Sequence, residues 1–378
     1  MALVVSTLPA GMVGTPVRAA ALPVPVPAHT ELVYVGTMDS RIGALRFDTS
    51  SGKLSTIGPV AQGLKSTWVA AHPELPILYA VDDDSSKEGS ITAYAVDRGT
   101  GALNKLNASL TGGRGTTYLQ FDIPSATLLG ANFNSGSVSS VAVNADGSMG
   151  ALVSTIAETG SGPNRRQTSA HAHSVAIDPS GRYALVPDLG ADRVFIYRFD
   201  RTTHSLSQEQ GDAPHAFIAP PGAGPRHLTF SADGRFVYLL TELSSEIMVL
   251  RWDAAHAQLT FVQALPTSSE TFQGAKSGAE LALSRDGRFV YVEDRGENAL
   301  VVYRVNVRSG ELSPIQRTSS GGEKPWGFAI DSSGKWLLVA NQRSGTVNVF
   351  SIDPVTGKVA DAGQSADIAS PTSIAFVK

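Results

Sequence analysis

The feature that most constrains this chain is a short pattern that recurs seven times: an alternating apolar strand ending in Asp or Asn, a few turn residues, and then Leu or Val. Copies occupy residues 44–48 with Gly52 and Leu54, 93–97 with Gly101 and Leu103, 194–200 with Leu206, and 247–253 with Leu259. Two more lie at 301–306 with Gly310 and Leu312 and at 347–353 with Gly357 and Val359, and a weaker one spans 138–144. The Asp/Asn positions are 47 to 56 residues apart, which suits a four-stranded propeller blade and leaves no room for helices. A second pattern interleaves with the first: a short apolar strand, a turn of the type Asp/Ser-x-x-Gly-Arg/Lys, and another apolar strand, as at 174–186, 228–239, 281–291 and 328–338. The glycine supplies the positive φ of a tight hairpin.

The ends match each other. Residues 32–36 resemble the second strand of a blade with no first strand before it, and 373–377 resemble a first strand with nothing after it. Pairing them closes the ring and hides the edges that would otherwise template aggregation. The expectation is an all-β, seven-bladed β-propeller over 31–378, with a β-sandwich pair or an open solenoid as the competing architectures.

Residues 1–30 stand apart. The stretch from Met1 to Ala21 is apolar, lacks acidic residues and runs into the proline-rich 22–27, which reads as an export-signal remnant plus linker and implies a periplasmic or secreted protein. The first positive charge, Arg18, follows the apolar stretch rather than preceding it, so a disordered tail on a cytoplasmic protein is the other reading. Pro9, Gly11 and Pro16 interrupt the stretch, and it is too short to span a bilayer as a stable helix.

A net charge of −4 with scattered basic residues argues against nucleic acid or an anionic membrane as the main partner. The absence of cysteine excludes thiol catalysis, disulfides and cysteine-held metals. A small-molecule ligand and a monomer are expected.

In each repeat, residues before the inner strand and after the second strand share one rim. That rim is polar at His171, His173, Arg226, His227, Glu280, Lys324 and Trp326 on the inner-strand side, and at Asp188, Glu242, Asp294, Arg295, Asn341 and Gln342 on the other. Residues 165–345 supply nearly all of it, against a quieter set of Trp68, Asp82 to Asp84, Tyr118 and Asn132, so the site is expected off-centre. His, Glu and Arg together can supply a base for water, donors for an oxyanion and an acid for a leaving alkoxide. Glu242 or His173 can serve as base, and Arg226 with Arg295 as a carboxylate or oxyanion clamp, because a guanidinium fork binds planar oxyanions bidentately. Arg226→Ala is then expected to abolish nearly all turnover. His171, His227, Glu280, Lys324, Trp326 and Gln342 are the candidate substrate contacts.

Plainer roles exist for several of these. His171 and His173 share a side of an extended strand and could pair on a metal, but no third ligand stands at a recognised spacing, so no metal and no cofactor are expected. Arg226 and Glu280 suit an interblade ion pair, Asp188 and Asp192 suit ordering of the Leu189-Gly190 turn, and Trp326 suits packing as well as stacking on a sugar. Arg182, Arg235, Arg288 and Lys335 sit in hairpins of the opposite rim, where solvation is expected.

The ordered set of His171-Ala172-His173 with 187–192, Pro225-Arg226-His227 with 241–245, Ala279-Glu280 with Asp294-Arg295-Gly296, and Ala340-Asn341-Gln342 resembles the seven-bladed lactonase family over about 31–378. That family includes cycloisomerase-type 6-phosphogluconolactonases and fungal carboxymuconate cyclases. The resemblance implies cofactor-independent hydrolysis of a sugar lactone, with a histidine of the His-x-His pair, Arg226, Glu242 and Arg295 at its centre. A muconate-type lactonizing cycloisomerase and a non-catalytic binding propeller are the alternatives. Two positions depart from the family pattern: Asp294 replaces Asn and Trp326 replaces Arg. The added negative charge and the lost positive one both point away from a phosphorylated substrate.

Overall fold

The computed structural model describes residues 2–3, 29–208 and 215–377; the segment read as a signal and linker falls almost wholly outside them. The described residues form seven antiparallel sheets in a ring and contain no helix. The expected seven-bladed propeller is therefore what the chain folds into. Blade 1 runs, from the axis outwards, Pro371–Val377, Thr30–Thr37, Arg41–Asp48, Lys53–Gln62, so the last strand of the chain is the inner strand of the first blade. Blade 2 opens at Val69–Ala71, blade 3 at Thr116–Asp122, blade 4 at Ala176–Ile177, blade 5 at Pro225–Phe230, blade 6 at Gly278–Leu283 and blade 7 at Pro325–Ile330. The repeat ending in Asp or Asn is the third strand with its turn into the fourth, and the Gly-Arg pattern is the hairpin between the first and second.

Seven apolar clusters hold the ring, each shared by two neighbouring blades. On the second strand of blade 1, Leu32 and Tyr34 pack toward blade 2, while Val33 and Val35 pack toward blade 7. Successive strand residues point to opposite faces, and both faces of the middle strands are covered. This is why those strands read as near-continuous apolar runs rather than clean alternation. The cluster joining blades 1 and 7 closes the circle that the terminal strands begin.

The hairpin residues Arg182, Arg235, Arg288 and Lys335 of the opposite rim are exposed, as expected, but the three arginines are also partnered. Arg182, Arg235 and Arg288 each donate to a carbonyl in the turn of the next blade, at Ala254 (2.9 Å), Val307 (2.8 Å) and Pro354 (2.5 Å). Each guanidinium also lies over the following aromatic, Tyr183, Phe236 or Phe289. Half-exposed charges thus stitch blade to blade. Gly357 makes a related contact: its φ is 75°, and a Cβ there would run into the Phe289 ring of blade 6. Gly357→Ala should lower stability by about 1–3 kcal/mol, since strain and clash add, and chemical denaturation at equilibrium checks it.

Candidate active site

The site forms where the inner strands begin, and five of them begin irregularly. The register with the second strand slips by a bulge between Thr116 and Tyr118, Pro225 and His227, Gly278 and Leu281, Pro325 and Gly327, and Pro371 and Ser373. A bulge inserts a residue and re-aims its side chain. The inserted positions include Thr117, Arg226 and Trp326, so the same defect repeated around the ring delivers side chains to one mouth. Two long interblade loops, 158–175 and 267–277, fold over that mouth.

Beneath them is a cavity of about 930 Å³ lined by residues of blades 2 to 7 and the two loops. At its floor Glu242, 2% exposed, forms ion pairs with three guanidiniums: it accepts hydrogen bonds from Arg226 Nε at 3.0 Å and Arg166 Nη1 at 2.5 Å, and Arg295 Nη2 lies 2.8 Å away. Burial opposes its charge, but Arg295, Arg226 and Arg166 outweigh burial and hold the carboxyl well below the usual carboxylate range. Arg226 also donates to the Ala279 carbonyl. Arg295 is anchored by Nε to Ser277 Oγ (3.0 Å) and stacks on Trp326 at 4.2 Å, which leaves Nη1 buried without a partner.

His173 lines the cavity with Nε2 3.7 Å from Glu242 Oε2 and Nδ1 unpartnered. Burial first, then Arg226 and His227, push its pKa well below the ordinary value, so the ring is neutral at physiological pH. Below lies a second layer, in which His227 Nδ1 sits 2.8 Å from Glu280 Oε1. Burial pushes Glu280 up to about 8 and raises Glu293 well above the carboxylate range, the latter with both oxygens unpartnered. Glu242 is thus the one carboxylate of this floor that is fully ionised at neutral pH, against three arginines.

Of the expected contacts, His173, Glu242, Arg295, Lys324 and Trp326 line the cavity together. Arg226 lies just under it, and its ion pair is with Glu242, not with Glu280 as the spacing suggested. His227 and Glu280 are buried in the lower layer, and the Trp68 and Tyr118 rings pack edge-on against His227. His171 turns away: its ring stacks on Phe133 at 4.6 Å and Nδ1 meets the Phe133 carbonyl, so the two histidines do not converge as a metal pair. Gln342 does not reach the cavity either; its amide meets Met38 Sδ at 3.7 Å. Asp294, which the sequence places at the mouth as an added charge, is fully buried and accepts from Ser268, Ser245 and Thr267.

The residues missed are those on the loops. Arg165, Arg166 and Asn164 line the cavity, as do Lys276, Phe133 and Arg343, together with Asp83 of the rim set expected to be quieter. Gln167, fully buried, staples the first loop by donating to Leu189 O (2.8 Å) and Asp192 Oδ1 (2.6 Å). The signal was the Asn164-Arg165-Arg166-Gln167 run just before the His pair, outside any strand pattern.

A family model for the seven-bladed β-propeller lactonase matches residues 32–376. The chain belongs to the seven-bladed β-propeller lactonase family. It is 31% identical over 348 residues to the 6-phosphogluconolactonase of Bacillus subtilis, covering 91% of this chain and 97% of that one. It is 29% identical to a 6-phosphogluconolactonase of Formosa agariphila over 86% of this chain and 94% of that one. Among solved structures, the periplasmic gluconolactonase of Pseudomonas aeruginosa matches with 35% identity and a TM-score of 0.85, over 92% of this chain and 99% of that one. This lactonase-family chain thus spans nearly the full length of these relatives and shares their fold.

Proposed function

We propose that the chain hydrolyses a sugar lactone, 6-phosphogluconolactone first, without a cofactor, in the arginine-ringed cavity. The observation that carries this reading is a buried, unpartnered donor, Arg295 Nη1, in a cavity whose floor holds one carboxylate against three guanidiniums. Water adds to the lactone carbonyl, the carbonyl oxygen becomes an oxyanion, and the ring C–O bond then breaks to give the aldonate. Arg295 Nη1 donates to that oxyanion. Neutral His173 takes the proton from water and returns it to the ring oxygen as that oxygen leaves. Glu242, held ionised by three arginines, has too little affinity for a proton to act as the base; it orients Arg295, and Arg226 in turn orients Glu242.

At the mouth, Arg165, Lys276 and Lys324 have no ion-pair partner among the described residues, whereas Arg343 pairs with Glu323 at 3.5 Å. These three cations suit a phosphate on the far end of the substrate. Purified protein assayed on phosphorylated and plain sugar lactones and on muconolactones, with spontaneous hydrolysis subtracted, tests the reading. A Lys276→Ala/Lys324→Ala variant should raise KM for the phosphorylated lactone by roughly tenfold, the scale of a lost charge-assisted hydrogen bond, and barely change the plain one. Equal changes for both, or no rate on any lactone, would overturn it.

A second reading takes the chain as exported and the unphosphorylated lactone as substrate. Its support is the apolar, proline-punctuated N-terminal segment together with the relative named as a periplasmic gluconolactonase. The same panel separates the two by which lactone has the higher kcat/KM.

A further inference from the structure

The segment that carries His173 is held to the sheet by a single isolated bridge, Ala172 to Asp188. The inner strand of blade 4 is only Ala176–Ile177, shorter than any other inner strand, so His171 to His173 lie beyond its ladder. What holds them is Asp188, at the end of the second strand Tyr183–Asp188. Its Oδ1 accepts from His171 N (2.8 Å) and Ala191 N (2.7 Å), and the backbone adds His173 N to Pro187 O (3.0 Å) and Leu189 N to His171 O (2.9 Å). The other oxygen, Oδ2, is buried and has no donor.

Across the interface with blade 3 stands Glu158, 6% exposed, its carboxyl set against that of Asp188. Tyr197 donates its hydroxyl to Glu158 Oε1 at 3.1 Å, and Oε2 is buried with no donor. Among the described residues, the titratable groups acting on Glu158 are Asp188, which disfavours a second charge, and Tyr197, which donates to it, and none is a cation. Two ionised carboxylates here would set acceptor against acceptor in a dry interface, each with an unsatisfied oxygen. One proton removes both defects at once.

We propose that Glu158 and Asp188 hold a single proton between them, Glu158 Oε2 donating to Asp188 Oδ2, and that this acid pair is the positioning device that fixes the His171–His173 segment at the cavity wall. Burial, reinforced by the Asp188 charge, pushes Glu158 well above the usual carboxyl range, in agreement. Because its affinity for the proton is higher folded than unfolded, the pair's contribution is fully present below the ordinary glutamate range and is lost as pH rises through the folded value. The positional claim rests on two buried, unpartnered carboxyl oxygens facing each other; its effect on turnover rests on His173 acting in the proposed hydrolysis.

The test uses the whole protein as wild type, Glu158→Gln, Glu158→Leu and Asp188→Asn. Gln supplies an N–H to Asp188 and a carbonyl to Tyr197 without titrating; Leu supplies neither. Infrared difference spectra at neutral pH should show a protonated-carboxyl band that Glu158→Gln removes and Asp188→Asn weakens, because an amide at 188 donates to Glu158 and lets it ionise. Glu158→Leu should shift the His173 ring signal in NMR and lower kcat by about tenfold with KM little changed, the scale of a small misplacement of a reacting group. Glu158→Gln should keep the wild-type ring signal and kcat near neutrality and hold kcat further into alkali. A wild-type spectrum with no band lost in Glu158→Gln overturns the proposal, as does a folded Glu158→Leu protein with an unmoved His173 signal. Should no lactone be turned over, the infrared and NMR results decide the inference separately from the proposed function.

Discussion

Arg295→Ala is expected to lower kcat by about 10² to 10³, the usual cost of losing one oxyanion donor. The argument is that Nη1 is the buried donor at the cavity wall with no protein partner, while the other nitrogens are committed to Ser277 and Glu242. A donor that is left unsatisfied in the free protein and satisfied as charge develops favours the transition state over the ground state. Steady-state kinetics on the preferred lactone checks this: kcat should fall far more than KM rises. Arg295→Lys restores the charge beside Glu242 but not the planar fork or its fit on Trp326, so it should recover only a small part of the rate. A variant with wild-type kcat would remove Arg295 from the chemistry.

Glu242→Ala should be the most destabilising single change in the site, by about 3–5 kcal/mol, because it strands three guanidiniums that the carboxylate now compensates. Two of these, on Arg226 and Arg295, are themselves buried, at 3% and 9% side-chain exposure, so water cannot replace the lost partner. The pH dependence follows from the same cause. The folded carboxyl is depressed below its unfolded value, so its stabilising contribution is fully present above the ordinary glutamate range and lost as pH falls toward the folded value. Denaturant titrations at neutral and acid pH should find the gap between wild type and variant narrowing in acid. If Glu242 were instead the catalytic base, Glu242→Gln would abolish turnover in a protein of nearly unchanged stability.

The architecture was legible because its two repeats are periodic and local. Each strand pair is closed by a hairpin that leaves Gly, Asp or Asn in the sequence, and the doubly covered middle strands leave unbroken apolar runs. The ends of the second strands, and so Glu242 and Arg295, followed directly from that register. The inner-strand bulges did not, since a one-residue slip has no compositional mark, and Arg226 was placed as a ligand clamp when it lies below the cavity and braces Glu242. His171 and His173 look equivalent at a spacing of two until Phe133 draws one of them away. Arg166 was invisible for a different reason. It reaches Glu242 from a loop whose course is set by Gln167 and Asp192, contacts between residues far apart in the chain that no local pattern encodes.

The most direct test is a crystal structure of the protein with the open-chain product 6-phosphogluconate. The account predicts the C1 carboxylate within hydrogen-bond distance of Arg295 Nη1, His173 beside it, and the phosphate among Arg165, Lys276 and Lys324. A product bound on the opposite rim, or in the cavity with its carboxylate away from Arg295, would contradict it.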